Sequence, residues 1–137
     1  MKPFPGIRLA ALAALLLAPA AVLAQDLATR AEALVDAGEA RVIEWRRHIH
    51  QNPELSYQEV QTAAFIAERL RAMPGMEVRT GLAKTGVKAM LRGGKPGPVI
   101  ALRADMDALP VEERPGVAFA SRVKTQWRGK ESFVAHA

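Results

Sequence analysis

The feature that most constrains the fold is a short apolar run that ends in two closely spaced aspartates, Asp105 and Asp107. Glycine and proline turn signals precede the run and Pro110 closes it, so its length and β-branched content predict a buried strand over Pro98–Ala104. Residues two apart in an extended chain project to the same side. Ligands in open α/β sheets collect beyond the carboxyl ends of strands, which makes this end a candidate site. The alternative is a solvated turn in which aspartate caps the loop, and the Asp-x-Asp spacing alone does not decide between them.

The N-terminus has the pattern of a secretory signal peptide over residues 1–24. Lys2 and Arg8 precede an uncharged run, Leu9–Ala24, which ends with the small residues of a cleavage site before Gln25. The alternative is a membrane anchor, but the run is shorter than the ~18–20 residues of a spanning helix and contains a proline. We therefore predict a periplasmic or secreted protein, with no membrane partner after cleavage, whose mature part is residues 25–137.

The composition of the mature chain excludes several classes of protein. Its length suits one modest domain. Two of the 19 basic residues lie in the signal, which leaves 17 basic against 14 acidic side chains, spread along the chain. This pattern gives little support to a nucleic-acid partner, although a cationic surface-binding protein with salt-dependent binding remains a weaker alternative. The absence of cysteine excludes disulfides, so stability must come from a core, a partner or a metal.

Helical periodicity precedes strand patterns along the mature chain. Apolar residues recur at helical spacing over Asp26–Gln51, where Gly38 leaves two shorter segments possible. Ser56 and Glu59 have the spacing of a capping box before a second helix that ends near Met73. The remaining predicted strands, separated by glycine turns, are Met76–Thr80, Gly86–Leu91 and Lys130–Ala135. We predict an α/β fold of two helices followed by a mixed sheet, without the helices that would cover the sheet's other face.

Few other side chains form a pattern typical of catalysis. His48 and His50 are two apart on a predicted helix end, which is poor spacing for a metal pair, so interaction with the helix dipole is the simpler interpretation. Glu54 and Glu59 are most simply a loop acid and a capping acid. The glycine-rich Gly93–Gly97 resembles a phosphate loop only in composition, and a hairpin turn explains it better.

Four segments in the same order resemble the bacterial metal-dependent amidohydrolases of the aminoacylase/carboxypeptidase superfamily. They are Trp45–Glu59, Thr85–Val87, Leu91–Pro98 and Ala101–Pro110. The most similar branch contains hippurate hydrolases, N-acyl-amino-acid amidohydrolases and indole-acetyl-amino-acid hydrolases. The resemblance covers residues from Ile43 onwards, and the order of four segments makes it far more specific than Asp-x-Asp alone.

The resemblance implies an α/β catalytic domain of the two-metal aminopeptidase type. Two divalent ions, zinc or manganese, would activate a bridging water that attacks the amide carbon of an N-acyl amino acid or a short peptide-like amide. The candidate catalytic residues are Asp107 and Asp105. Asp107 matches an aspartate that orients a metal-bound histidine, and Asp105 stands where another branch has a histidine ligand. Members of the family are often homo-oligomeric.

The matched positions supply no metal ligand. In relatives, a segment like Val134–Ala137 continues into Cys-Gly-His-Asp, whose cysteine and histidine bind metal, and the glutamate base follows later. We therefore expect residues 25–137 to be the N-terminal portion of the catalytic domain, incomplete, inactive alone and without bound metal. The alternative is a non-catalytic exported remnant or binding module.

Overall fold

The computed structural model describes residues 6–114 and 116–136, and for residues 6–25 it describes the backbone only. The chain divides into two compact units, residues 1–43 and residues 44–137. The first unit consists of most of helix α1, Gly6–Gln51, which is a single helix through Gly38. Leu27, Leu34 and Val35 are exposed on it. Within the described part of the chain, no helix has both the length and the apolar character needed to cross a membrane.

The second unit begins with the end of α1 and continues into helix α2, Val60–Arg71, which packs on an antiparallel hairpin. The hairpin consists of β1, Met76–Leu82, and β2, Gly86–Leu91. α2 buries Thr62, Ala63 and Ala67, so small side chains line its contact face. At Gly86 an added Cβ would lie 2.6 Å from the carbonyl oxygen of Leu82, which explains why only glycine fits at the tight end of the hairpin.

A second hairpin lies near the end of the chain. It pairs β3, Lys124–Trp127, with β4, Lys130–Phe133. Its two turn residues, Arg128 and Gly129, both have positive φ, as a two-residue hairpin turn that follows strand twist requires. Beside this hairpin, Leu55, Ala108 and Val134 form a small buried core, with Val123 packed against it.

The predicted buried strand over Pro98–Ala104 is wrong. These residues have no regular secondary structure, and Val99, Ile100 and Leu102 are 94%, 82% and 96% exposed. A strand is stable only where neighbouring strands take up its N–H and C=O groups and cover its side chains. Among the described residues no strand pairs with this run. The expected hairpin turn at Gly93–Gly97 does not form, since no strand follows it.

The other predictions divide between local and long-range features. The strand Gly86–Leu91 has the predicted bounds, and α2 lies where periodicity indicated. α1 begins well before the predicted Asp26, β1 runs beyond the predicted end at Thr80, and β4 ends at Phe133 before the predicted Ala135. The helix and strand content agrees with an α/β class. The mixed sheet is not confirmed: the described strands form two separate antiparallel pairs. Ser56 does not form the predicted capping box, because α2 has Glu59 at its N-cap with no side-chain cap hydrogen bond. The signal peptide falls on residues whose side chains lie outside the described part, so it remains a prediction.

Candidate functional site

The segment that carries Asp107 is fixed from both sides by backbone pairing. The amide of Ala108 donates to the carbonyl oxygen of Glu54 at 2.8 Å, within a parallel bridge between Leu55 and Ala108. Leu109 and Ala135 exchange two hydrogen bonds of 3.0 and 3.1 Å in an antiparallel bridge. The chain around Asp107 is therefore held between the loop before α2 and the segment after β4.

The two candidate aspartates lie in different environments. The Asp107 side chain is half-buried, one residue before the core residue Ala108. The Asp105 side chain is 62% exposed and accepts a hydrogen bond of 2.6 Å from the Arg103 guanidinium. The alternation that would place both on one side of a strand is not observed, because this segment is not a strand. Asp107 is therefore the more buried of the two and lies next to the paired backbone of Ala108, whereas Asp105 is the carboxylate that forms an ion pair.

Glu54 has a larger role than a loop acid. Its carboxylate accepts the amide of Gln61 at 3.1 Å and the amide of Thr62 at 2.8 Å, which are free donors in the first turn of α2. A carboxylate at a helix N-terminus also interacts favourably with the helix dipole. Since the carbonyl of the same residue binds Ala108, Glu54 joins the start of α2 to the segment of Asp107.

Glu59 is a buried carboxylate at the start of α2. The hydroxyl of Thr85, in the β1–β2 turn, donates to its Oε2 at 2.6 Å. Burial raises the pKa of Glu59, but the hydrogen bonds from Thr85 and from nearby backbone amides outweigh it and hold the pKa below the ordinary value of 4.5. Glu59 therefore stays ionised and connects α2 to the hairpin.

A histidine–carboxylate pair that sequence reasoning missed lies at the end of α1. His50 Nε2 is 2.7 Å from Glu113 Oε1, and the amide of Ser121 donates to Glu113 Oε2 at 2.6 Å. The hydrogen bonds from His50 and then from Ser121 hold the pKa of Glu113 below its usual range. Both histidines do lie in the last turn of α1, but His48 stacks on Phe65 with ring centroids 4.1 Å apart.

The described residues do not fit a two-metal centre. No group of three or more histidine, cysteine, aspartate or glutamate side chains lies close enough in the described ranges to hold a metal ion. Asp105 is paired with Arg103, and Asp107 is a single half-buried carboxylate. A catalytic metal needs about three protein ligands. No metal-dependent step can be derived from these side chains.

Comparison with known proteins shows what this architecture is similar to. No family model matches the chain. Thermostable carboxypeptidase 2 of Saccharolobus solfataricus is 55% identical over 84 residues, which are 61% of this chain and 21% of the relative. The N-acyl-L-amino acid amidohydrolase of Geobacillus stearothermophilus is 49% identical over 89 residues, 65% of this chain and 24% of the relative.

A solved structure agrees with these sequences. The crystal structure of a Bacillus subtilis protein, described as a dinuclear metal-binding peptidase of the M20 family, superposes with a TM-score of 0.62 and 40% identity. The superposed region covers 74% of this chain and 26% of the Bacillus subtilis protein. The chain thus spans between about a fifth and a quarter of the length of these relatives. The resemblance noted in the sequence is confirmed, and the chain belongs to the amidohydrolase family that includes the N-acyl-amino-acid amidohydrolases and the M20 peptidases.

Proposed function

We propose that this chain is part of an exported metal-dependent hydrolase that cleaves the amide bond of N-acyl amino acids or short peptide-like amides. The observation that carries the proposal is the 49% identity to an N-acyl-L-amino acid amidohydrolase over 89 residues. The similarity to a dinuclear metal-binding peptidase supports two divalent ions in the complete enzyme, zinc or manganese by family resemblance. No feature of the described residues favours the alternative of a non-catalytic binding module.

The residues of this chain contribute the support of the site. Two ions, when bound, would polarise the amide carbonyl and supply a nucleophilic water. Asp107 would orient a ligand of such an ion by accepting a hydrogen bond from it, as carboxylates do for metal-bound histidines. The pairing of Ala108 with Glu54 and of Leu109 with Ala135 gives Asp107 the fixed position that this role needs. Asp105 lies beside it as the second candidate, in contact with Arg103.

A chimera tests the proposal. Residues 44–137, which form one compact unit, would replace the matching segment of the Geobacillus amidohydrolase. We expect the metal-loaded chimera to hydrolyse an N-acetylated amino acid. Asp107→Asn should lower kcat/KM about 10- to 100-fold, the usual cost of losing a carboxylate that orients a metal ligand.

Glu112→Gln is the matched control, because it removes one negative charge at an exposed position and should leave activity unchanged. A folded, metal-loaded chimera without activity would contradict the proposed function. Equal activity of the Asp107→Asn variant and the control would contradict the role of Asp107 while leaving the activity in place.

Export is proposed from the signal-peptide pattern of residues 1–24. Expression in a Gram-negative host should yield a periplasmic or secreted chain whose N-terminal residue, by sequencing of the purified protein, is Gln25. A chain that keeps Met1 in the cytoplasm would contradict export.

A further inference from the structure

The Glu113 carboxylate is enclosed by groups from distant parts of the chain. Its side chain is only 8% exposed, with His50 on one oxygen and the amide of Ser121 on the other. We call these three residues the Glu113 cluster. The His50–Glu113 contact spans 63 residues of sequence, so it attaches the irregular segment after Pro110 to the last turn of α1.

Aromatic and cationic contacts hold the same segment to the helix. The ring of Phe119 meets the ring of His50 edge to face, with centroids 5.6 Å apart. The guanidinium of Arg47, one turn earlier on α1, lies 4.9 Å from the centroid of Phe119. The segment thus contacts the helix end at Glu113 and again at Phe119.

Hydrogen bonds continue from the Glu113 cluster to the segment of Asp107. The buried hydroxyl of Ser121 donates to the carbonyl oxygen of Val134 at 2.7 Å and accepts the amide of Val123 at 3.2 Å. Val134 precedes Ala135, which pairs with Leu109. A change at Glu113 can therefore reach Leu109, two residues after Asp107, through contiguous contacts.

We propose that the Glu113 cluster is an acid-sensitive switch. The ionised carboxylate holds the segment of Phe119 and Ser121 on the end of α1, and its protonation releases that segment and loosens the Leu109–Ala135 pairing. This switch belongs to the fold of the chain and does not depend on the proposed hydrolase activity. Protonation removes the negative charge and one acceptor position, so neither His50 nor Ser121 keeps its charge-assisted bond.

The charges around the carboxylate favour its ionised form. His50 faces it from α1, Arg122 acts on it from the segment after Ser121, and Arg47 lies beyond Phe119. The hydrogen bond from His50, the largest cause, lowers the pKa of Glu113 in the folded chain. A carboxyl whose pKa is lowered by folding stabilises the fold fully above its ordinary value, 4.5, and this contribution is lost as the pH falls through the lowered pKa.

NMR of the isotopically labelled full chain tests the switch. Between pH 8 and pH 2.5 the Ser121 amide and the Glu113 carboxyl carbon should titrate together, with one midpoint below 4.5. Below that midpoint the exchange protection of the Ser121, Val134 and Leu109 amides, corrected for intrinsic rates, should fall about tenfold.

Two variants and a control complete the test. His50→Gln should raise the midpoint towards 4.5, and Glu113→Gln should abolish the titration of the Ser121 amide. Glu112→Gln, which removes an exposed charge next in sequence, should leave the midpoint unchanged. The proposal is overturned if the Ser121 amide is unprotected at pH 7, if it does not titrate with Glu113, or if His50→Gln leaves the midpoint in place. Should Glu113→Gln fail to fold, the wild-type and His50→Gln titrations decide alone.

Discussion

Glu54 and Glu59 lie five residues apart and connect the start of α2 to different neighbours. The carboxylate of Glu54 accepts hydrogen bonds from two backbone amides in the first turn of α2. Glu59 turns away from those amides and accepts the hydroxyl of Thr85. Acidic side chains are expected near the start of a helix because they interact favourably with the helix dipole. The sequence does not show which of the two carboxylates accepts the hydrogen bonds of the first-turn amides, because that depends on the folded structure.

Glu54→Gln should weaken the start of α2. The amide side chain keeps one acceptor oxygen, so one of the two hydrogen bonds to Gln61 and Thr62 is lost together with the negative charge. We expect a cost of about 1 kcal/mol in helix stability. Amide exchange in the first turn of α2 measures it. Glu68→Gln, at an exposed position of the same helix, is the control, and an equal effect there would contradict the capping role.

Thr85→Val should raise the pKa of Glu59. The variant keeps the shape of Thr85 but removes the hydroxyl that stabilises the carboxylate, while the burial that raises the pKa remains. Because the folded-state pKa of Glu59 lies below 4.5, its stabilising effect is complete above that value and is lost on acidification. On acidification, the variant should therefore lose the stabilising effect of ionised Glu59 at a higher pH than the wild-type chain does. A carboxyl-carbon titration measures the midpoint, and an unchanged midpoint would show that the backbone amides alone set the pKa.

At the scale of elements, the sequence predicted those helices and strands that are stabilised mainly by local interactions. The apolar period of α2, ended by Pro74 and Gly75, and the strand pattern of β2 both lie where the structure has them. The sequence did not predict β3, because this strand has only four residues. The Arg128–Gly129 turn that follows it also lacks the asparagine or aspartate typical of such hairpins. A short element with an unusual turn gives too weak a local signal.

Features that depend on distant residues could not be predicted. His50 and Glu113 are 63 residues apart, and no spacing or periodicity joins them. The run at Val99–Leu102 has the composition of a strand buried on both faces, but composition does not supply the neighbours that bury it. The sequence therefore identified Asp107 as a site candidate and left its surroundings undetermined.

The exposed run should make the chain bind hydrophobic dyes and associate with itself. An extended apolar segment with unpaired backbone groups is a site for pairing with another chain. Ile100→Lys should lower ANS fluorescence and reduce concentration-dependent association measured by light scattering. Thr80→Lys, which adds the same charge at an exposed position of β1, is the control. If both variants behave alike, charge rather than the apolar run controls association.

At the scale of the whole molecule, the described residues bury little. In unit 2 the buried core cluster consists of Leu55, Ala108 and Val134. The other buried apolar side chains among the described residues are all alanines: Ala63, Ala67, Ala120 and Ala135. Large apolar side chains at Val99, Ile100 and Leu102 remain exposed. The chain spans about a fifth of the length of a carboxypeptidase to which it is similar. Its core is therefore small beside the apolar surface that these three side chains expose.

The 137-residue chain alone should neither retain zinc nor hydrolyse hippurate. Tight zinc binding requires three or four well-placed nitrogen, sulfur or oxygen ligands, and the described side chains offer no such group. After dialysis against zinc and then against metal-free buffer, elemental analysis of the tag-free mature chain should give far less than one zinc per chain. Added manganese should produce no turnover. The Geobacillus amidohydrolase, treated in parallel, controls for metal loss during dialysis. One or two zinc ions retained per chain, with hydrolysis that a chelator abolishes, would mean that residues 25–137 hold a complete metal site.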